Sequence, residues 1–157
     1  MSPSTANPAL SGTAHQAFQN PARVVVNGRP TVWHDAVVRR LQELISLERG
    51  WDGYSAPPVR FDNAYFTVDM LKAICPGSMP VAPQLVPGAR GDLQVEWHYP
   101  HGEIELHVLA PNSVRAWRRS PSAPEGEEIS LTTDFIVVWK WMKELLGAPI
   151  GTHSAAA

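Results

Sequence analysis

A chain of 157 residues, 44% hydrophobic and 18% charged with six Trp, has the makeup of one folding domain around one core. Its formal net charge of −2 argues against a dedicated nucleic-acid or membrane-surface binder, which carries a basic field. A single cysteine, Cys75, excludes an internal disulfide, and no apolar run approaches the roughly 20 residues that span a bilayer.

The first 22 residues contain no Lys, Arg, Asp or Glu and lack the basic and apolar blocks of a secretory signal. They read as a disordered tail, as do residues 149–157, leaving 23–148 as a single α+β domain with a cytoplasmic location. Val24-Val25-Val26 followed by Asn27-Gly28 is a short strand-and-turn signal. From Trp33 the period becomes helical. Trp33, Val37, Leu41, Leu44 and Ile45 predict a helix over about 33–48, with Thr31 or His34-Asp35 at its start and Gly50 as its stop.

Trp51, Asp52, Gly53 and Tyr54 then predict a structured loop. Asp52 can accept bonds from the amides that follow it, Gly53 permits a left-handed turn, and the two aromatics offer surfaces that pin the loop to the core or wall a ligand pocket. A second helix is predicted over about 62–75, capped by Asp62, with Phe61, Tyr65, Val68, Leu71 and Cys75 on its apolar face and Pro76-Gly77 ending it. Cys75 at a helix C-terminus gains no help from the dipole toward a thiolate, so it is not a nucleophile candidate. A short strand, Gln84 to Val86, leads to a turn containing Arg90-Gly91-Asp92, a cell-adhesion tripeptide read here as coincidence.

The centre of the chain carries the sharpest pattern. Residues 93–99 and 104–109 both alternate, predicting a hairpin. A turn centred on His101-Gly102 pairs Tyr99 with Ile104, Trp97 with Leu106 and Val95 with Val108. The polar face then pairs His98 with Glu105 and Glu96 with His107. Opposed side chains on such a face have Cβ atoms roughly 5 Å apart, close enough to chelate a metal. The same four residues also suit an ordinary solvated or partner-facing surface.

A further strand is predicted over about 114–118, one register of which sets Trp117 against Leu106 and Arg118 beside Glu105. Arg115, Arg118 and Arg119 form a basic patch, a weak nucleic-acid signal in a near-neutral chain. Residues 119–128, rich in Ser, Pro and Glu, read as an exposed loop. A last helix is predicted over about 132–146, capped by Thr132 or Thr133. Its apolar face is Phe135, Val138, Trp139, Met142, Leu145 and Leu146, and Gly147 and Pro149 stop it.

Two segments resemble a pattern of small bacterial proteins. Residues Gly50-Trp51-Asp52-Gly53-Tyr54-Ser55-Ala56-x-Pro58 resemble their Gly-Trp-Asp-Gly-Tyr-Gly-Ala-x-Pro loop. Gly91-Asp92-Leu93-Gln94-Val95-Glu96-Trp97-His98, followed by the alternating Ile104 to Val108, resembles their downstream strands. The chain departs from the pattern at Ser55 and at His107, where an acidic residue is usual, which weakens a metal site that depends on His107. The resemblance brings no assigned activity. It implies an association with mobile-element or toxin–antitoxin-like genes.

The expected architecture is an antiparallel sheet of three to five strands with three helices packed on its apolar face. No phosphate loop, nucleophile elbow or zinc-protease helix is present in the sequence, and no catalytic residue is assigned. The expected function is a non-enzymatic protein-interaction module of bacterial or phage origin, antitoxin-like, inhibitory or accessory, whose partner is another protein or a second copy. The alternative is a metal-dependent or acid–base enzyme using Glu96, His98, Glu105 and His107; outside that alternative no cofactor is expected.

Overall fold

The computed structural model describes residues 33–75 and 82–147. The chain is an α+β protein: α1 (His34–Ile45), α2 (Phe61–Ile74), β1 (Gln84–Pro87), β2 (Leu93–Tyr99), β3 (Gly102–Ala110), β4 (Ser113–Ser120), β5 (Ala123–Leu131) and α3 (Ile136–Gly147). The strands form one antiparallel sheet in the order β1-β2-β3-β4-β5. The strand-and-turn signal at Val24–Gly28, Thr31, Pro76-Gly77, Pro149 and both predicted tails lie outside the described residues. No helix among the described residues is long and apolar enough to cross a membrane.

Alternate strand residues build the core. Leu85, Leu93, Val95, Trp97, Ile104, Leu106, Val108, Val114, Ala116 and Leu131 are buried, in one cluster with Val37, Leu41 and Leu44 of α1, Val68, Leu71 and Ile74 of α2, and Val138, Trp141, Met142 and Leu145 of α3. Cys75 is buried in that cluster, where desolvation pushes its thiol up to about 12. Desolvation, with the Cys75 sulfur beside it, raises the Tyr99 phenol to about 12 as well.

The hairpin register differs from the expected one. Leu93 pairs with Val108, Val95 with Leu106, Trp97 with Ile104 and Tyr99 with Gly102, across a turn of Pro100 and His101. Every face assignment survives, because a two-residue shift preserves alternation. What sets the register is Gly102. It lies inside β3, where an added Cβ would stand 2.1 Å from the Arg119 carbonyl oxygen and 2.8 Å from Leu145. Only a glycine lets β4 and α3 close over that position, so Gly102 belongs to the strand and not to the turn.

Further departures have physical causes. Residues 119–128 are not a loop but the end of β4, a Pro121-Ser122 turn and most of β5. As an outermost strand, β5 carries Glu127 and Glu128 on opposite sides, and only Ile129 and Leu131 at its end alternate toward the core, too short a pattern to read. Trp117 pairs with Glu105, and Ala116, not Trp117, pairs with Leu106. In α2 the buried stripe is Asn63, Ala64, Thr67, Val68, Met70, Leu71 and Ile74, while Phe61 and Tyr65 stack on each other in the open. Asp62 sits in the first turn and does not cap it; the N-cap is Arg60. Helix α1 ends at Ile45, so Gly50 falls in the following loop rather than at the helix stop. Helix α3 begins behind Asp134, whose Oδ1 accepts the Ile136 amide at 2.9 Å in place of the expected threonine caps. Trp141 is buried on it, and Leu146 is exposed.

Candidate functional site: the open face of the sheet

Residues that alternate with the core set occupy the other face of the sheet, and none of them is buried. Register places them in three rows that cross the strands. The row nearest the β2–β3 turn runs His98, Glu103, Arg119. The middle row runs Gln84, Glu96, Glu105, Trp117, Glu128. The third runs Val86, Gln94, His107, Arg115, Ser130.

Most ionisable side chains of the outer rows have partners. Arg119 donates to Glu103 Oε1 from Nε at 3.1 Å and from Nη2 at 2.9 Å. His98 lies 3.4 Å from both Glu103 and Glu96. His107 Nε2 meets Asp92 Oδ2 at 2.5 Å, with both side chains largely covered. The Asp92 Oδ1 accepts the Arg90 amide at 2.9 Å. Burial pushes the Asp92 carboxyl upward, but His107 and the backbone amides of Arg90 and Asp92 outweigh it and hold the group below its ordinary value. With Asp92 only 7% exposed and so bound, the Arg90-Gly91-Asp92 tripeptide does not present its carboxylate outward.

In the middle row, among the described residues, only Glu96 has an ionisable partner, His98 of the neighbouring row at 3.4 Å. Glu96 and Glu105 are direct cross-strand partners, and Glu105 takes its hydrogen bond from the Gln94 amide at 2.8 Å. Among the described residues no Lys or Arg pairs with Glu96, Glu105 or Glu128. Trp117 is half-buried in this row, its indole against Gly126, where an added Cβ would fall 2.8 Å from Nε1. A cleft of about 80 Å³ opens between Glu96, His98, Glu103, Glu105 and Trp117. A wider cleft of about 370 Å³ lies beyond it at the turn end of the sheet, but its Arg119 and Glu103 are spent on each other.

All four residues of the predicted Glu/His set lie on this face, in two groups. Glu96, His98 and Glu105 are neighbours; His107 stands in the third row, opposite Gln94 rather than Glu96, and is bound by Asp92. No three His, Cys, Asp or Glu side chains among the described residues are arranged to hold a metal ion. The predicted arginine patch is divided. Arg115 and Arg119 lie on the open face, whereas Arg118 turns to the other, sits 4.9 Å over the Trp141 ring, and pairs with Glu127 and with Glu144. Alternation forces the split, since 118 has the opposite parity to 115 and 119.

The loop forms as its residues dictate. Asp52 Oδ1 accepts the amides of Tyr54 at 3.0 Å and Ala56 at 3.2 Å, Gly53 takes φ +82°, and Trp51 donates to the Pro57 carbonyl at 3.0 Å. Tyr54, however, is 89% exposed, so one aromatic anchors the loop and not two. The end of this loop meets the turn before β2. The Gly91 carbonyl accepts the Arg60 amide at 3.0 Å and the Asn63 side-chain amide at 2.9 Å, and a Cβ at Gly91 would crowd Arg60 and the Pro58 carbonyl. Sequence reasoning missed Asp92, Glu103, Trp117 and Glu128 as members of this surroundings; Trp117 and Glu128 become visible only once β4 and β5 are registered. The chain matches no protein-family model, no curated protein and no solved structure.

Proposed function

We propose that this chain is a non-enzymatic protein-interaction module that docks its partner on the open face of the sheet. The observation that carries this reading is the middle row: a half-buried tryptophan on β4, beside the central strand of a five-stranded face none of whose residues is buried. Tryptophan is enriched among the few residues that dominate binding energy, and those residues sit near the centre of an interface. The antitoxin-like, inhibitory or accessory role, and the bacterial or phage origin, rest on the resemblance of the 50–58 and 91–98 segments alone. The metal or acid–base alternative draws less support, because His107 is held by Asp92 away from the other three side chains.

Native mass spectrometry of untagged chain purified from its own host tests the reading, with a Trp117→Asp variant in parallel. The expected result is a stoichiometric protein partner on the wild-type chain that is absent from a variant of unchanged melting temperature. A lone monomer, or a partner retained by the variant, overturns it. A stoichiometric metal on a lone chain moves the function to the Glu/His face as a metal site.

A further inference from the structure

The middle row carries three carboxylates, and among the described residues no Lys or Arg pairs with any of them. Directly opposed side chains in an antiparallel pair approach to roughly 5 Å between Cβ atoms, and like charges there are destabilising. Glu96 and Glu105 are such a pair, and Glu128 continues the row on the far side of Trp117. On the same face Arg119 pairs with Glu103, and His98 stands 3.4 Å from Glu103 and from Glu96, so that among the described residues Glu105 and Glu128 are left without an ionisable partner. We propose that a partner protein supplies the missing cation as an arginine side chain, its guanidinium stacked on Trp117 and its N–H groups on the carboxylates of Glu96 and Glu105. This inference rests on the docking role assigned to the face.

Three features select that occupant. A cleft of about 80 Å³ takes the tip of a side chain, whereas pockets for free small molecules run to about 300 Å³ and above. A guanidinium is planar, binds carboxylates through two N–H groups at once and stacks on aromatic faces, which a lysine ammonium does not reproduce. Tryptophan is the best of the ring partners for such a cation. The Trp117 indole is packed over Gly126 on β5, where an added Cβ would fall 2.8 Å from Nε1. Phosphate-bearing partners are disfavoured by the same three carboxylates.

The test is an NMR titration of the full chain with a short Gly/Ser peptide carrying one central arginine, against the same peptide carrying citrulline, its uncharged counterpart. The expected result is a saturable shift of the Trp117 indole N–H and of amides in β2, β3 and β4 with the arginine peptide only. Glu105→Gln is expected to weaken that binding about fivefold with the remaining spectrum unchanged. An equal response to citrulline, or an unmoved Trp117 indole, overturns the inference. If the titration is silent but a host partner is lost on Trp117→Asp, the docking role stands and the arginine assignment falls. If the titration responds and no host partner is recovered, the arginine site stands and the docking role falls.

Discussion

Asp92 and His107 are 15 residues apart, and their contact joins the turn before β2 to the middle of β3. The backbone bond from the Gly88 amide to the Asp92 carbonyl closes the same turn at 2.9 Å. Because the folded chain holds the Asp92 carboxyl below its ordinary value of 3.8, the unfolded chain binds the proton more tightly. The stabilisation is therefore complete above that value and is lost as pH falls through the lower folded value. Asp92→Asn is expected to cost about 1.5–3 kcal/mol at pH 7, the worth of a hydrogen bond to a charged group. It should also flatten the fall in urea midpoint between about pH 5 and pH 3 relative to the wild-type chain. Equal pH slopes for the two proteins would remove Asp92 from the linkage.

At the scale of the element, what the sequence made legible follows from which signals are periodic. Helices α1 and α3 and the two faces of the central hairpin were readable because large apolar residues recur at one period with polar residues between them. Helix α2 carries two overlapping stripes at the same spacing, and the one that is buried is built from Asn63, Ala64 and Thr67, which hydropathy undervalues. Strand β5 was hidden because its Glu residues face both ways. The site was half legible: Glu96, His98, Glu105 and His107 share a face as their parity demands, but their partners depend on register, and alternation is blind to a two-residue shift. Gly102 settles that register by contact rather than by pattern. Gly102→Ala should therefore destabilise the chain by about 1–3 kcal/mol in urea unfolding, the usual cost of overpacking, since the Arg119 carbonyl cannot yield without opening the β3–β4 ladder. Gly53→Asn is the contrast. It stands at φ +82° with nothing near its missing Cβ, and Asn tolerates that conformation, so its cost should stay within a few tenths of a kcal/mol. A Gly102→Ala protein as stable as wild type would show that the hairpin adopts another register.

The whole molecule divides its work between the two sides of one sheet. Alternate strand residues share one buried cluster with residues of α1, α2 and α3, whereas the opposite-facing residues of β2, β3 and β4 stay partly or wholly in solvent. Leu106 and Glu105 are neighbours on β3 that face opposite ways, so they compare the two sides with strand position and propensity held nearly constant. Leu106 is fully buried, and Leu106→Ala should cost about 2–5 kcal/mol through lost burial and the cavity left behind. Glu105→Ala gives up one hydrogen bond from Gln94 but also relieves the carboxylate opposite it, and should fall within about 0.5 kcal/mol of wild type in either direction. Urea unfolding of both variants at neutral pH decides the matter. The expected asymmetry means that Glu105 contributes little to holding the fold, as the proposed arginine site requires. A large loss with Glu105→Ala would instead make the acidic row part of the fold's own support, and a partner's cation would then have no deficit to fill.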